Sequence, residues 1–211
     1  AMNDNSNTSN AIKHKLKQHI NKEKVFIYRR FFKTGKGEYG EGDKFIGVTV
    51  PNIRIVAKEN KCIKLSEIQI LLSSEIHEHR LCGLLILTYK YPTANESEKL
   101  DIVNFYLRNL NNINNWDLVD LSAYKIIGMY LLDHDNLINE IKSMASSKHL
   151  WTRRVAMISM FVLIKNDKFE EPFKIIEILI NDSHDLMHKA VGWMLREIGK
   201  RNELELTKFL D

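Results

Sequence analysis

The sequence predicts an all-α fold assembled from repeated helical pairs, and three observations point there. Breakers are scarce: the 211 residues hold 3 Pro and 9 Gly, and Gly35, Gly37, Gly40 and Gly42 fall in one short stretch. That leaves most of the chain free to form long helices. Apolar residues recur with the helical 3.6-residue period rather than the alternation of half-buried strands. Finally, the later helices come in pairs whose second members look alike. His79-Arg80-Leu81-Cys82-Gly83, Val119-Asp120-Leu121-Ser122-Ala123, Arg153-Arg154-Val155-Ala156-Met157 and His188-Lys189-Ala190-Val191-Gly192 each set a charged residue before an apolar one and then small residues.

The charged positions Arg80, Asp120, Arg154 and Lys189 lie 40, 34 and 35 residues apart. Spacings of that size are typical of HEAT-like hairpins, which bury their apolar faces only by stacking on neighbours. The expected architecture is therefore a HEAT-like helical-repeat solenoid, an α-α superhelix. Its small residues allow close stacking, and its equivalent charges line the concave face.

Taken in order, helices are expected near residues 8–21 and 22–33. The stretch Thr34 to Val50 follows as the one long Gly-rich loop. It lacks the glycine pattern of a dinucleotide site, and is either a surface connector or a ligand-contacting loop with Tyr39 exposed. A helix near 51–60 opens on Pro51, suited to a first helical position because it has no N–H to lose there. Helices near 66–73 and 75–90 follow, with Ser66 and Ser74 as N-caps and Pro92 ending the second. The remaining helices are expected near 94–109, 116–131, 134–145, 149–164, 169–180, 184–199 and 202–210.

A net charge of +4 and a pI near 8.9 are compatible with a polyanionic partner without demanding one. Cys62 and Cys82 sit in apolar helical contexts with no metal-ligand spacing. Neither a zinc site nor a disulfide framework is expected, and no cofactor or metal. The longest apolar run, Met157 to Ile164, is far short of a membrane span. The polar N-terminus, with Ala1 before Met2, reads as a cloning remnant rather than a signal peptide. The expected setting is cytoplasmic and nucleoid-associated, without a membrane partner.

Each tryptophan has a charge one helical turn away: Asp120 follows Trp116, Arg154 follows Trp151, and Lys189 and Arg196 flank Trp193. One such pair is more simply a core ring with a snorkelling neighbour; three on repeat-equivalent helices suggest a shared functional surface. On it Arg154, Lys189 and Arg196, with Arg80 and Arg153, would meet phosphates, and the rings would meet sugars or bases. Asp120 is the odd member, because a carboxylate repels phosphate and is better suited to a cationic centre. The oxocarbenium-like sugar of N-glycosidic cleavage is such a centre. At an effective dielectric of about 20, a carboxylate ~4 Å away contributes about 4 kcal/mol, or roughly three decades of rate.

Four segments carry a resemblance to a known family: Asn115-Trp116-Asp117-Leu118-Val119-Asp120, Leu150-Trp151-Thr152-Arg153-Arg154-Val155-Ala156, Lys189-Ala190-Val191-Gly192-Trp193-Met194-Leu195-Arg196-Glu197, and the earlier Val50-Pro51-Asn52-Ile53-Arg54. In this order they resemble the signature segments of the AlkD-type DNA alkylation repair glycosylases, over roughly residues 28 to 205. The resemblance implies a basic concave face for double-stranded DNA. It also implies release of N7-alkylguanine and N3-alkyladenine in base excision repair, without flipping the base into a pocket. On matching positions Asp120 supplies the catalytic carboxylate, Trp116 and Trp193 cradle the deoxyribose, and Arg154 holds a nearby phosphate. Members of the family continue beyond the point where this chain stops. Residues 11–211 are thus expected to form a single monomeric repeat domain lacking a C-terminal closing helix, and residues 1–10 a tag remnant and disordered tail. Two alternatives stay open. One is a non-catalytic HEAT-repeat protein for distorted or branched DNA, which would have no need of the Trp116/Asp120 pair. The other is a protein–protein scaffold, which would not need Arg154, Lys189 and Arg196 on equivalent faces.

Overall fold

The computed structural model describes residues 7–211, and the fold is all-α. No strand occurs among the described residues, and the only β-type pairing there is an isolated bridge between Lys44 and Ile76. The chain divides into two compact units, the first ending at Leu118 and the second beginning at Val119.

In the first unit, α1 (Ser9–Lys17) is capped by Thr8, whose hydroxyl accepts the Ala11 N–H at 3.2 Å. Ser9 is buried and donates its N–H to Glu67 at 2.8 Å. The helix thus begins inside the stretch expected to be a disordered tail, because its first turn has partners; residues 1–6 of that expectation lie outside the described residues. Next come α2 (Lys22–Phe31), α3 (Val50–Glu59), α4 (Leu65–Leu72) and α5 (His77–Lys90). Pro51 occupies the first turn of α3 as its missing N–H predicts. Ser66 lies inside α4 rather than capping it, since the backbone turns helical one residue earlier, after Lys64. Ser74 sits two residues before the α5 cap, where its hydroxyl accepts the Ile76 N–H at 3.1 Å. Pro92 sits within a short 3-10 turn, Tyr91–Thr93, that ends α5, and α6 (Glu96–Arg108) closes the set.

The core of this unit sits on α5, which packs against α3 and α4. Its residues His77 through Thr88 are all buried, the pattern of a helix enclosed on every side rather than an amphipathic one. Each fully buried side chain such as Leu84, Leu85 or Ile86 contributes about 1.5–3 kcal/mol relative to exposure. Cys82 is in this core, and burial pushes its thiol up to about 12. Cys62 is instead exposed in the turn after α3, not in an apolar helical setting.

The Gly-rich loop exposes residues 35–38, 41, 42 and 44, as a surface connector does, but its later part is fixed to the protein. Two acids with buried side chains hold it, Glu78 of α5 and the loop's own Asp43. The Glu78 carboxylate accepts the N–H groups of Ile46, Gly47 and Val48 at 3.1, 2.6 and 3.1 Å. Gly47 adopts φ +86° there, and a Cβ would run into the Asn21 carbonyl, so only glycine fits. Tyr39 is half-buried rather than exposed.

α7 (Trp116–Asp120) carries the chain across the division. The expected helix 116–131 is interrupted after Asp120 and resumes as a wide π-type turn, Tyr124–Gly128, running into α8 (Met129–Asp133). Gly128 faces the Ser159 carbonyl so closely that no Cβ could be accommodated. α9 (Ile138–Ala145) and α10 (Leu150–Ser159) follow, then α11 (Phe161–Lys165), α12 (Glu170–Leu179), α13 (Asp185–Arg201) and α14 (Glu203–Leu210). The expected helix 149–164 breaks at Met160, beside Ser159, whose hydroxyl bonds back to the Val155 carbonyl at 2.6 Å. Such back-bonding bends helices. The second unit's core lies on α10, which packs against α9, α12 and α13. Trp151 is only 5% exposed in it. No helix among the described residues is long and apolar enough to cross a membrane.

Candidate functional site

In the first unit the charged residues that matter are mostly turned inward. His77, at the start of α5, is 2% exposed, and both its ring nitrogens meet carboxylates. Nδ1 lies 2.6 Å from Asp43 and Nε2 2.6 Å from Asp117. With an acceptor at each nitrogen, both must donate, which defines the imidazolium. Burial alone would depress the His77 pKa, but Asp117 and Asp43 outweigh it and raise it to about 9. Burial would likewise raise Asp43, yet His77 and Arg80 hold its carboxyl below the usual range.

Arg80, expected to meet phosphate, is buried in the same network. It donates from Nη2 to Asp43 at 2.8 Å and Asn114 at 3.1 Å, and from Nη1 to the Ser74 carbonyl at 3.0 Å. Two aspartates, one imidazolium and one guanidinium thus balance, as buried charges must. The neighbouring His79 is held neutral: burial, then Lys13, Arg80 and Lys17, bring it down to about 4.

This network ends on α7. Asp117 Oδ1 accepts the Leu118 N–H at 2.8 Å while Oδ2 meets His77. Asn115 accepts the Trp116 N–H at 2.9 Å and donates to Asp43 at 3.2 Å. The half-buried Trp116 ring stacks on Phe32 at 5.3 Å and meets the edge of Phe31 at 5.7 Å. Phe32 and Phe45 also lie against His77, at 5.0 and 4.5 Å. Beside them α2 buries none of its residues: it exposes Phe26, Ile27 and Phe31 next to Arg29 and Arg30, with Lys33 just beyond. Sequence reasoning singled out neither this basic, aromatic face nor the His77 network. The face has a signal in the run Lys-Glu-Lys-Val-Phe-Ile-Tyr-Arg-Arg-Phe, whereas the network joins residues scattered from position 43 to 117.

In the second unit Arg154, on α10, forks onto Asp120. Nε donates to Oδ1 at 2.9 Å and Nη2 to Oδ2 at 2.8 Å. Nη1 holds the Leu186 carbonyl at 2.6 Å. The planar guanidinium matches an ionised carboxylate in this bidentate geometry. The Arg154 side chain is 8% exposed and that of Asp120 18%, so the carboxylate is the more open of the two. Arg153 is tied to Asp182 at 2.7 Å and to the Ser147 and Lys148 carbonyls. Although burial opposes it, the His184 N–H and then Arg153 hold Asp182 below its usual range. The half-buried Trp193, on α13, lies 5.4 Å from Phe161, which meets the edge of Tyr124 at 5.3 Å. Lys189 and Arg196 are exposed on the same helix. Lys189 makes a 3.2 Å surface pair with Asp185, and Arg196 folds back over Gly192.

The family described as DNA alkylation repair enzyme matches residues 12–211. The chain is also similar to a solved structure described as a predicted DNA alkylation repair enzyme from Enterococcus faecalis. The two are 18% identical, covering 90% of this chain and 88% of the other with a TM-score of 0.70. A search of curated proteins finds no match.

Proposed function

The chain belongs to the DNA alkylation repair enzyme family, and on that premise we propose that it is a monofunctional DNA glycosylase releasing cationic alkylated purines from duplex DNA. The membership gives a role in DNA repair; the reaction and its residues are the proposal. What supports it above all is Asp120: a carboxylate gripped bidentately by Arg154, partly open to solvent, on the segment that resembles the family signature.

Alkylation at N7 or N3 makes the purine cationic, so when the glycosidic C–N bond breaks its electron pair stays with the base, which leaves neutral. No general acid is required for departure. The positive charge develops instead on the sugar, where Asp120 stabilises it, and water adds at the anomeric carbon with its proton passing to Asp120 or solvent. A fixed carboxylate costs no reorganisation when that charge appears. Arg154 orients Asp120, a task beyond the phosphate contact implied by the resemblance. The sugar contacts of Trp116 and Trp193 rest on the resemblance alone. Lys189, Arg196 and the basic face of α2 are the exposed cations suited to phosphates, while Arg80 serves the buried network.

The test is single-turnover incubation with duplex DNA carrying one N7-methylguanine, followed by cleavage at abasic sites. Release by the wild type, abolished in Asp120→Asn, is the expected result. A wild type that binds the duplex but releases no base would favour the non-catalytic alternative.

A further inference from the structure

Trp116 is a contact residue in the proposed reaction, and its surroundings are unusually well specified. Its backbone N–H is taken by Asn115, and the next residue, Asp117, is anchored to the buried His77 at 2.6 Å. Its ring rests on Phe32, which also touches His77, and Phe45 stacks on that imidazole from the loop. Asp43 and Asn115 join the loop to the residue before Trp116. The first turn of α7 is thereby held both through its backbone and through a ring, by groups of one unit. Such a cluster has a structural use, but three of its branches converge on Trp116: His77 holds Asp117, Asp43 holds Asn115, and Phe32 lies on the face of the ring.

We propose that Asp43, His77, Asp117 and Phe32 are positioning residues of the glycosylase: they act through Trp116, fixing the first turn of α7 and the plane of the ring. The inference rests on the glycosylase reading. A misplacement of about 1 Å in a contact group can cost about 100-fold in rate, so loosening the ring should slow excision without weakening general DNA binding. His77 is the joint of the device. The charged groups facing it are Asp43 from the loop and Asp117 from α7, and Arg80 from its own helix pairs with that same Asp43. Tyr28, which contacts Phe32 and Phe45, has its phenol raised by burial and then by Glu78, and titrates later.

The test uses the full chain with 5-fluorotryptophan incorporated, the Trp116 fluorine resonance being assigned with Trp116→Phe. In the wild type that resonance should move with a midpoint near the His77 value of about 9, and the titration should vanish in His77→Gln. At neutral pH, His77→Gln and Phe32→Leu should each lower the single-turnover excision rate by about 10- to 100-fold. Affinity for undamaged duplex should stay within about twofold, since no phosphate contact is removed. Leu71→Ala, a core truncation in α4, should lower Tm yet leave the rate unchanged; Phe32→Leu carries the test if His77→Gln does not fold. A Trp116 resonance indifferent to His77, or network variants that excise at the wild-type rate, overturns this inference alone. A wild type that releases no base overturns the glycosylase reading and this inference with it.

Discussion

Arg80 and Arg154 hold equivalent places in the sequence repeat, each on the buried central helix of its unit and each paired with an aspartate, yet the two pairs are built for different work. Asp43 is 4% exposed and is shared between Arg80 and an imidazolium that a second carboxylate also grips. Asp120 is 18% exposed and answers to a bidentate Arg154. One carboxylate is enclosed by charges that need it for their own burial. The other is oriented by a guanidinium but keeps access to whatever approaches. The difference teaches that a repeated charge does not carry a repeated role: what decides is how much of the acid remains accessible once its partner is satisfied.

The strongest test removes the charge of each acid in turn. Asp120→Asn should lower excision of N7-methylguanine by roughly two to four decades. DNA affinity should hold or rise slightly, as a negative group near phosphates is lost. The corresponding change in the other pair should first be felt in folding. Asp43→Ala leaves His77 and Arg80 with uncompensated buried charge and should cost about 3–5 kcal/mol of stability, read from urea unfolding. An Asp120→Asn enzyme at full rate, or an Asp43→Ala protein of unchanged stability, would erase the distinction.

The pH dependence of stability sharpens it. Because the folded-state pKa of His77 is raised from 6.5 to about 9, its contribution is fully present below pH ~6.5 and is lost as pH rises through ~9. A shift of that size corresponds to roughly 3 kcal/mol. Tm should therefore fall across this alkaline window, and His77→Gln should remove that part of the decline. A Tm flat from pH 6.5 to 9.5 would contradict the paired imidazolium. The smallest effect belongs to the exposed cations. Lys189→Ala removes a surface ion pair worth about 1 kcal/mol or less. It should also flatten the slope of log affinity against log salt by nearly one unit if Lys189 meets phosphate. An unchanged slope would leave DNA contact to Arg196 and α2.

The sequence by itself determined the helical class, nearly every helix, and the segments that place the chain in its family. These features are local: a 3.6-residue period, a proline at a first turn and a short run of distinctive residues are each readable within a few positions. It also brought Trp116 and Asp120 one turn apart, since helical geometry makes that separation a face. Only the tertiary structure decided that Arg80 turns inward, that Arg154 clamps Asp120, that the Gly-rich loop is pinned by Glu78 and Asp43, and that α2 is left with its aromatic residues exposed. The physical reason is that an arginine on a helix reads alike whether its guanidinium meets solvent or a carboxylate 34 residues away. Long-range pairing leaves no periodic trace, and the desolvation that commits a charge to its partner exists only after the chain has closed around both.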